Sequence, residues 1–421
     1  MSTAPGRNAA GLRVAVLARA VFPLHGHGGL ERHVYDLVRH LARAGVEVTL
    51  ITKDPARPGA RSADCIDPGI RLRTIPYWTF PFAGRRGTTV LDRSVAYPLF
   101  GELAGRLAWE LVQEGRVDLV HGLGASVLGY ARRRARAAAP LVLNPQGLEE
   151  FGATDPARAR LKRALYLPLR RAVVVCAKAA DRVIATDRAL EPAVRRHLRV
   201  PADRVCVIPN AIDLEWLDSL VTDEDAARVR ATAGVGPRDT VLLSVGRIEA
   251  NKGFHVLADA LAALRLHSGL PGPCRWVIVG DGPYRPTLQR RIAASGLESA
   301  AFLAGRLDDR DLHGWYRAAS LFVHPTLYEG SSLVTLEAMA HRKAVVATTA
   351  GGIPDKVTPG TTGWLVAPGD ASALAAALSA ALASGARLGE MGEAGRRVVE
   401  REFSWTHAAA ATIQLYRDLL E

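Results

Sequence analysis

The sequence predicts an α/β protein built from two doubly wound domains, each a parallel sheet covered by helices on both faces. Three observations carry that expectation. The chain has 421 residues, too many for one ordinary core and about right for two domains of roughly 200 residues each. Short apolar runs alternate with helical-period segments through both halves. A polar stretch punctuated by Gly234, Gly236 and Pro237 separates the two rhythms.

In the first half, Arg13 to Ala18 reads as a strand, Leu30 to Ala44 as a helix ended by Gly45, and Val46 to Thr52 as a strand. Gly101 to Glu114 reads as a helix and Asp118 to His121 as a short strand. Pro140 to Asn144, Arg182 to Thr186 and Val205 to Pro209 continue as buried strands. Strands joined through helices pair in parallel, so a first domain is placed at 1–213. Residues 214–238 read as a linker, with Asp223-Glu224-Asp225 a solvated acidic run. The rhythm restarts in a second domain at 239–404. Its strands are Thr240 to Val245, Trp276 to Gly280, Ala301 to Leu303, Leu321 to Val323, Ala344 to Thr348 and Gly363 to Val366, separated by helices such as Phe254 to Leu266 and Tyr284 to Ser295.

Composition narrows the function classes. Cys65, Cys176, Cys206 and Cys274 lie far apart without paired spacing, which argues against a disulfide framework or a zinc site and fits a reducing cytosol. Arg13 and Arg19 interrupt the first apolar run, unlike a signal peptide, and no apolar run approaches the ~18 residues of a membrane span. A cytoplasmic location is expected. The formal net charge of +12 suits an anionic partner: a membrane surface, a nucleic acid or a phosphorylated substrate. A general arginine and alanine bias explains it equally. Aromatic residues are not interleaved with the basic ones, and no zinc finger or RNA-recognition signature is present, so nucleic acid is set aside.

Open α/β sheets bind ligands at the carboxyl ends of their strands, and the informative loops fall there. Strand Ser320 to Val323 leads through His324-Pro325-Thr326 into Tyr328-Glu329-Gly330-Ser331-Ser332. A helix then follows, with Leu333, Leu336 and Ala340 at helical spacing. Such a helix start offers free N–H groups and a positive dipole end to a phosphate. Glu329 before the helix and Glu337 within it are either acceptors for sugar or ribose hydroxyls or solvated flank charges. The strand at Val241 leads to Gly246-Arg247-Ile248-Glu249-Ala250-Asn251-Lys252-Gly253. There Arg247 and Lys252 either grip phosphate oxygens or are solvated loop charges. Gly351-Gly352-Ile353-Pro354 and His25-Gly26-His27-Gly28-Gly29 are further strand-end turns whose backbone can approach a ligand. The latter is not the dinucleotide fingerprint, which disfavours a dehydrogenase.

Taken together, several blocks resemble the group 1 retaining glycosyltransferases of family 4, with the GT-B fold. They are Gly246-Arg247 to Lys252-Gly253, Glu329 to Glu337 with Glu-Ala-Met-Ala, Val345-Val346-Ala347-Thr348 and Gly351-Gly352-Ile353-Pro354. The likeness extends in order to Gly28-Gly29, Ile208-Pro209-Asn210-Ala211-Ile212-Asp213 and Phe403-Ser404-Trp405. It implies two Rossmann-like domains facing a central cleft, donor held mainly by the second and acceptor by the first, with 405–421 packing back onto the first. It further implies that Arg247 and Lys252 bind the diphosphate of a UDP- or GDP-hexose, and that the helix-start residues Gly330, Ser331, Ser332 and Leu333 help. Glu337 would hold the ribose and Glu329 a hydroxyl of the transferred sugar. No metal and no cofactor is called for. Transfer would occur on the front face through an oxocarbenium-like ion pair, with the leaving diphosphate helping to deprotonate the acceptor. A nucleophilic Glu329, as in a retaining glycosidase, is disfavoured.

The sequence departs from the family in four places. Asn144-Pro145-Gln146-Gly147 stands where many members carry His-Gly near the donor sugar. Glutamine still donates a hydrogen bond but carries no charge. Ser332 and Ala211 replace common glycines, and Asp355 stands where glutamate is frequent. His121 also resembles a family position, or caps a strand end. Two basic segments belong to the acceptor side, Arg132-Arg133-Arg134-Ala135-Arg136 and the stretch with Arg158, Arg160, Lys162, Arg163 and Arg170; the second, interspersed with Leu161, Leu165, Leu167 and Leu169, either lies on an anionic bilayer and reaches a lipid-linked acceptor or is a solvated basic helix. The resemblance implies a glycan or lipid-linked acceptor of cell-envelope polysaccharide or glycolipid synthesis. Competing readings are a nucleotide-sugar epimerase of the same fold and a non-catalytic nucleotide-sugar-binding protein.

Overall fold

The structure, a computed structural model, describes residues 11–26, 28–55, 66–78, 92–146, 148, 151, 164–267 and 273–421. Cys65, His27, Gly147, Leu161 and the basic residues Arg158, Arg160, Lys162 and Arg163 lie outside the described residues. The chain divides into two compact units, Met1–Asn210 with Trp405–Glu421, and Ala211–Ser404.

In the first unit the strands are β1 (Arg13–Leu17), β2 (Glu47–Lys53), β3 (Arg71–Ile75), β4 (Leu119–Leu123), β5 (Leu141–Asn144), β6 (Arg182–Ala185) and β7 (Val205–Val207). They pair in parallel in the order β3-β2-β1-β4-β5-β6-β7. Val14, Val16 and Leu17 are fully buried, as expected of a strand covered on both faces. The order reverses between β1 and β4, where the loops leaving neighbouring strands diverge. Strand β3 has no counterpart in the sequence reading. Its Arg71-Leu72-Arg73-Thr74-Ile75 sits at the sheet edge with three exposed residues, so it lacks the apolar run by which the inner strands are recognised.

The second unit holds β8 (Thr240–Val245), β9 (Cys274–Val279), β10 (Ala301–Gly305), β11 (Leu321–His324), β12 (Val345–Thr348) and β13 (Gly363–Val366), in the order β10-β9-β8-β11-β12-β13, again parallel. Two cores lie on its faces. Val241, Leu243, Phe322 and Val345 pack in one and Leu242, Leu321, Val323 and Val346 in the other, the period-two alternation of strands buried on both sides.

Helices used below are α1 (Gly29–Arg43), α2 (Tyr97–Gln113), α3 (Leu167–Ala179), α4 (Leu214–Leu220), α5 (Asp223–Thr232), α6 (Asp309–Ala318), α7 (Leu333–Ala340) and α8 (Trp405–Asp418). Residues 214–238, expected to be a linker, instead form α4 and α5 within the second unit. Asp213 caps α4 by accepting from the Trp216 amide at 3.1 Å, and Thr222 and Asp225 form a capping box at α5. Asp225, far from solvated, is 4% exposed and accepts from Arg310 at 2.8 Å. The polar residues that suggest a linker are caps and an outer face, while Leu217 and Val229 enter the core.

Helix α8 belongs to the first unit. Its Trp405 stacks on His40 of α1, and Tyr416 shares a 2.6 Å hydrogen bond with His121 Nδ1. His121 is 1% exposed, and burial drives its imidazole down to about 3. It therefore fastens β4 to α8 as a neutral side chain. Burial likewise lowers His33 to about 4, whereas it raises Asp36 to about 6 despite Arg32 and Arg39. The two histidines take up protons more readily once unfolded, so their contribution to stability is complete above pH ~6.5 and falls as pH drops toward their folded values. Asp36 has the opposite sign, binding a proton first in the folded chain between about 6 and its ordinary value. The histidines outweigh it, and thermal melts are expected to show a lower Tm at pH 5 than at pH 7.5.

Candidate active site

Strands β8, β11 and β12 are neighbours, so the loops leaving their carboxyl ends meet. The β8 loop ends in a single 3-10 turn, Ala250–Lys252, closed by Gly253 at φ +67°. A Cβ at Gly253 would collide with the Pro325 carbonyl oxygen. The β11 loop is bound to this turn: Leu327 N donates to Asn251 O at 2.7 Å and Thr326 Oγ1 donates to the same oxygen at 3.1 Å. Behind it lies the β12 turn, where Gly351 adopts φ +56° and its missing Cβ leaves room for the Glu329 carbonyl. Gly352 N then donates to Gly330 O at 3.0 Å.

Those contacts bring Lys252 and Glu329 together. Glu329 Oε2 accepts from Lys252 Nζ at 2.7 Å and from His324 Nε2 at 2.8 Å, while Oε1 faces the Gly330 amide at 3.3 Å. Burial alone would raise the Glu329 carboxyl, but the His324 hydrogen bond and the Lys252 charge overcome it and hold the group at about 2. His324 is wholly buried, which lowers its imidazole and keeps it neutral, with Nε2–H as donor to the carboxylate. Glu329 is thus a fixed carboxylate: Oε2 accepts from two side-chain donors, and Oε1, which accepts from the Gly330 N–H, keeps a second lone pair for a hydroxyl.

Arg247 stands apart from this cluster. Its side chain is 70% exposed and pairs with Glu249 at 3.2 Å. Glu337, in the second turn of α7, accepts from the buried Tyr316 hydroxyl of α6 at 2.8 Å. Ser332 is the N-cap of α7: its Oγ accepts from Thr335 N at 3.4 Å and bonds Thr335 Oγ1 at 2.8 Å. The serine that replaces a common glycine therefore closes a helix end. Ser332→Ala is expected to cost about 1 kcal/mol, read as a lower denaturant midpoint at unchanged slope. Gly330, Ser331 and Leu333 line the same helix start. Lys356, 1% exposed, lies beneath it, donating to Gly352 O at 3.1 Å and Ser331 Oγ at 3.4 Å.

The remaining expected donor residues belong to the first unit. Gly28 precedes α1, with Gly29 as its first residue. Gln146 follows β5 at φ +60°, its amide donating to Asn144 Oδ1 at 3.1 Å and its Nε2 buried with no hydrogen-bond partner among the described residues. Three residues escaped the sequence reading. His324 had a signal, a polar side chain closing an otherwise apolar strand. Lys356 had one too, a lysine between Ile353 and Val357. Tyr316 had none, because only the packing of α6 against α7 makes it a partner for Glu337.

A doubly wound pair of units with a lysine-clamped carboxylate beside a helix start defines an α/β enzyme of the GT-B class. Comparison with known proteins agrees. Residues 239–384 match the family described as glycosyl transferases group 1, and residues 27–216 match Glycosyltransferase Family 4. A D-inositol 3-phosphate glycosyltransferase of Rhodococcus opacus (strain B4) is 31% identical over 430 residues, covering 98% of this chain and 92% of the relative. The structure of sucrose-phosphate synthase from Thermosynechococcus elongatus superposes with a TM-score of 0.76 at 25% identity, covering 97% of this chain and 99% of that one. Anabaena HepE in complex with UDP-glucose gives a TM-score of 0.69 at 22% identity, covering 97% and 100%. The chain belongs to the group 1, family 4 glycosyltransferases, and is a glycosyltransferase.

Proposed function

We propose that the chain moves a hexosyl group, with retention of configuration, from a UDP- or GDP-hexose to a glycan or lipid-linked acceptor in the synthesis of cell-envelope polysaccharide or glycolipid. The observation that carries this is the Lys252–Glu329–His324 cluster at the carboxyl ends of β8 and β11. A departing nucleoside diphosphate gains negative charge. Lys252, the amides opening α7 and Arg247, once released from Glu249, offset it, with an effect of several kcal/mol typical of such preorganised charges. Glu329 Oε1 accepts a hydroxyl of the transferred sugar and Glu337 the ribose hydroxyls. Its ion pair with Lys252 makes Glu329 a poor nucleophile, which favours front-face departure over a covalent intermediate. Gly28, Gly29 and Gln146 would complete the donor contacts. UDP-glucose, held by a neighbour of the same fold, is the first donor to try.

The acceptor-side proposal includes contact with an anionic membrane from the cytoplasmic face. Among the described residues no single helix is long and apolar enough to cross a membrane. Leu99 and Leu103 on α2 and Leu167 on α3 are exposed, and suit a peripheral contact. The Arg132 to Arg136 segment contributes less charge than its sequence suggests, since Arg132 and Arg133 both pair with Glu102, at 2.9 and 2.7 Å, and Arg134 pairs with Asp181 at 2.8 Å. The test is incubation of the purified chain with a panel of nucleotide sugars and a membrane extract. Release of nucleoside diphosphate together with a hexose-shifted product supports the proposal. Tight donor binding without release across the panel favours the binding-protein alternative.

A further inference from the structure

Strand β11 is apolar until its last residue, His324, which is wholly buried within an inner strand of the sheet. Packing alone does not call for an imidazole there, since leucine would fill the space without desolvating two ring nitrogens. Strand alternation puts the ring on the same face as Phe322, whose ring lies 6.0 Å away and 20° from parallel, and the backbone is fixed by pairing with Ala347 of β12. Nε2 bonds Glu329 Oε2 at 2.8 Å, whereas Nδ1 is buried with no hydrogen-bond partner among the described residues. A neutral imidazole carries one proton, and the facing carboxylate assigns it to Nε2. The fold therefore tolerates an unsatisfied Nδ1 and gains one neutral donor to Glu329.

While Lys252 holds the same oxygen at 2.7 Å, that donor is redundant. It ceases to be so when a nucleotide sugar arrives. One ammonium then faces two anions, the carboxylate and a diphosphate of higher charge, and its neutralisation of Glu329 is diluted. With so little of its side chain exposed, Glu329 has no water to turn to, so it either keeps another donor or takes up a proton. A proton would spoil its use, because a carboxylic acid accepts a hydroxyl far less well than a carboxylate does. A neutral donor prevents this without adding a charge that competes for the diphosphate.

We propose that His324 is a positioning residue for the transfer: as the Lys252 ammonium is drawn to the diphosphate, the His324 Nε2–H remains on Glu329 Oε2 and holds the carboxylate in place for the sugar hydroxyl. This rests on the transferase reading above. Lys252 is thereby shared between two partners in turn, Glu329 in the empty site and the diphosphate in the loaded one, and the donor binds without bringing a proton to Glu329. The groups acting on the carboxylate are Lys252 from the β8 loop, His324 at the end of β11 and the Gly330 N–H.

Calorimetric titration of the full chain with UDP and with GDP near pH 6, repeated in two buffers of different ionisation enthalpy, counts the protons taken up on binding, the nucleotide's own proton being common to every variant. Wild type and His324→Gln, whose side-chain amide reaches the Nε2 position, should take up the same number. His324→Leu should take up a large part of one proton more. Because its bound form holds that extra proton, its nucleotide affinity should fall relative to wild type as pH rises, by up to about ten-fold per pH unit. Should His324→Leu not fold, His324→Asn, whose shorter amide falls short of Glu329, replaces it with the same expectation. A folded variant of either kind that binds nucleotide with the wild-type proton count, or an excess that His324→Gln shows as well, overturns the proposal. Absence of UDP and GDP binding to the wild type instead defeats the transferase reading, and the proposal with it.

Discussion

Lys252→Ala is expected to lower kcat/KM by roughly 10²- to 10³-fold, the usual cost of removing one preorganised donor from the site of developing charge. Most of the loss should appear in kcat, because the ammonium matters most when the diphosphate departs. The same side chain neutralises Glu329 across 2.7 Å with only 19% and 14% of the two side chains exposed. Its removal leaves a buried carboxylate with His324 as remaining side-chain donor. The carboxyl should then titrate higher than in the wild type, which carbon-detected NMR of Glu329 can follow. An unchanged kcat/KM in a folded variant would remove Lys252 from the chemistry.

The second large effect is expected from Glu329→Ala, with turnover falling by a comparable factor while nucleoside diphosphate binding persists. Loss of the carboxylate frees Lys252 for the diphosphate and removes the hydroxyl acceptor, so the product nucleotide should bind as well as before or more tightly. Donor sugar and free nucleotide are thereby separated: KM for the nucleotide sugar rises relative to Kd for the nucleotide. The double variant should lose little more than either single one, since the two residues act as a pair. Steady-state kinetics and titration with UDP or GDP check both statements, and near-normal turnover in Glu329→Ala would overturn the role given to that residue.

Much of the architecture is legible in the residues because inner strands of a parallel sheet are apolar on both faces. The inner strand β8 and the edge strand β13 coincide with the expected runs, and the other inner strands shift by one or two residues at their ends. What is missed shares one cause. Strand β3 alternates Arg71, Leu72 and Arg73 at an edge, and α4 and α5 show mainly their polar faces, so composition masks structure when only one side is buried. The site was legible as separate motifs on separate loops. Their meeting depends on β8 lying beside β11, and on the glycines at 253 and 351 that let carbonyl groups approach. The clamp on Glu329 by Lys252 and the support of Glu337 by Tyr316 arise from packing between separate elements, which spacing does not encode.

The most direct measurement of the central claim is the anomeric configuration of the product, followed by NMR as the purified chain consumes an α-linked nucleotide hexose such as UDP-glucose in the presence of an accepted acceptor. An α-linked product formed in step with nucleoside diphosphate release, and lost in Lys252→Ala and Glu329→Ala, is the predicted result. A β-linked product, or an α-linked one formed at wild-type rate by both variants, would contradict hexosyl transfer with retention at the Lys252–Glu329 site.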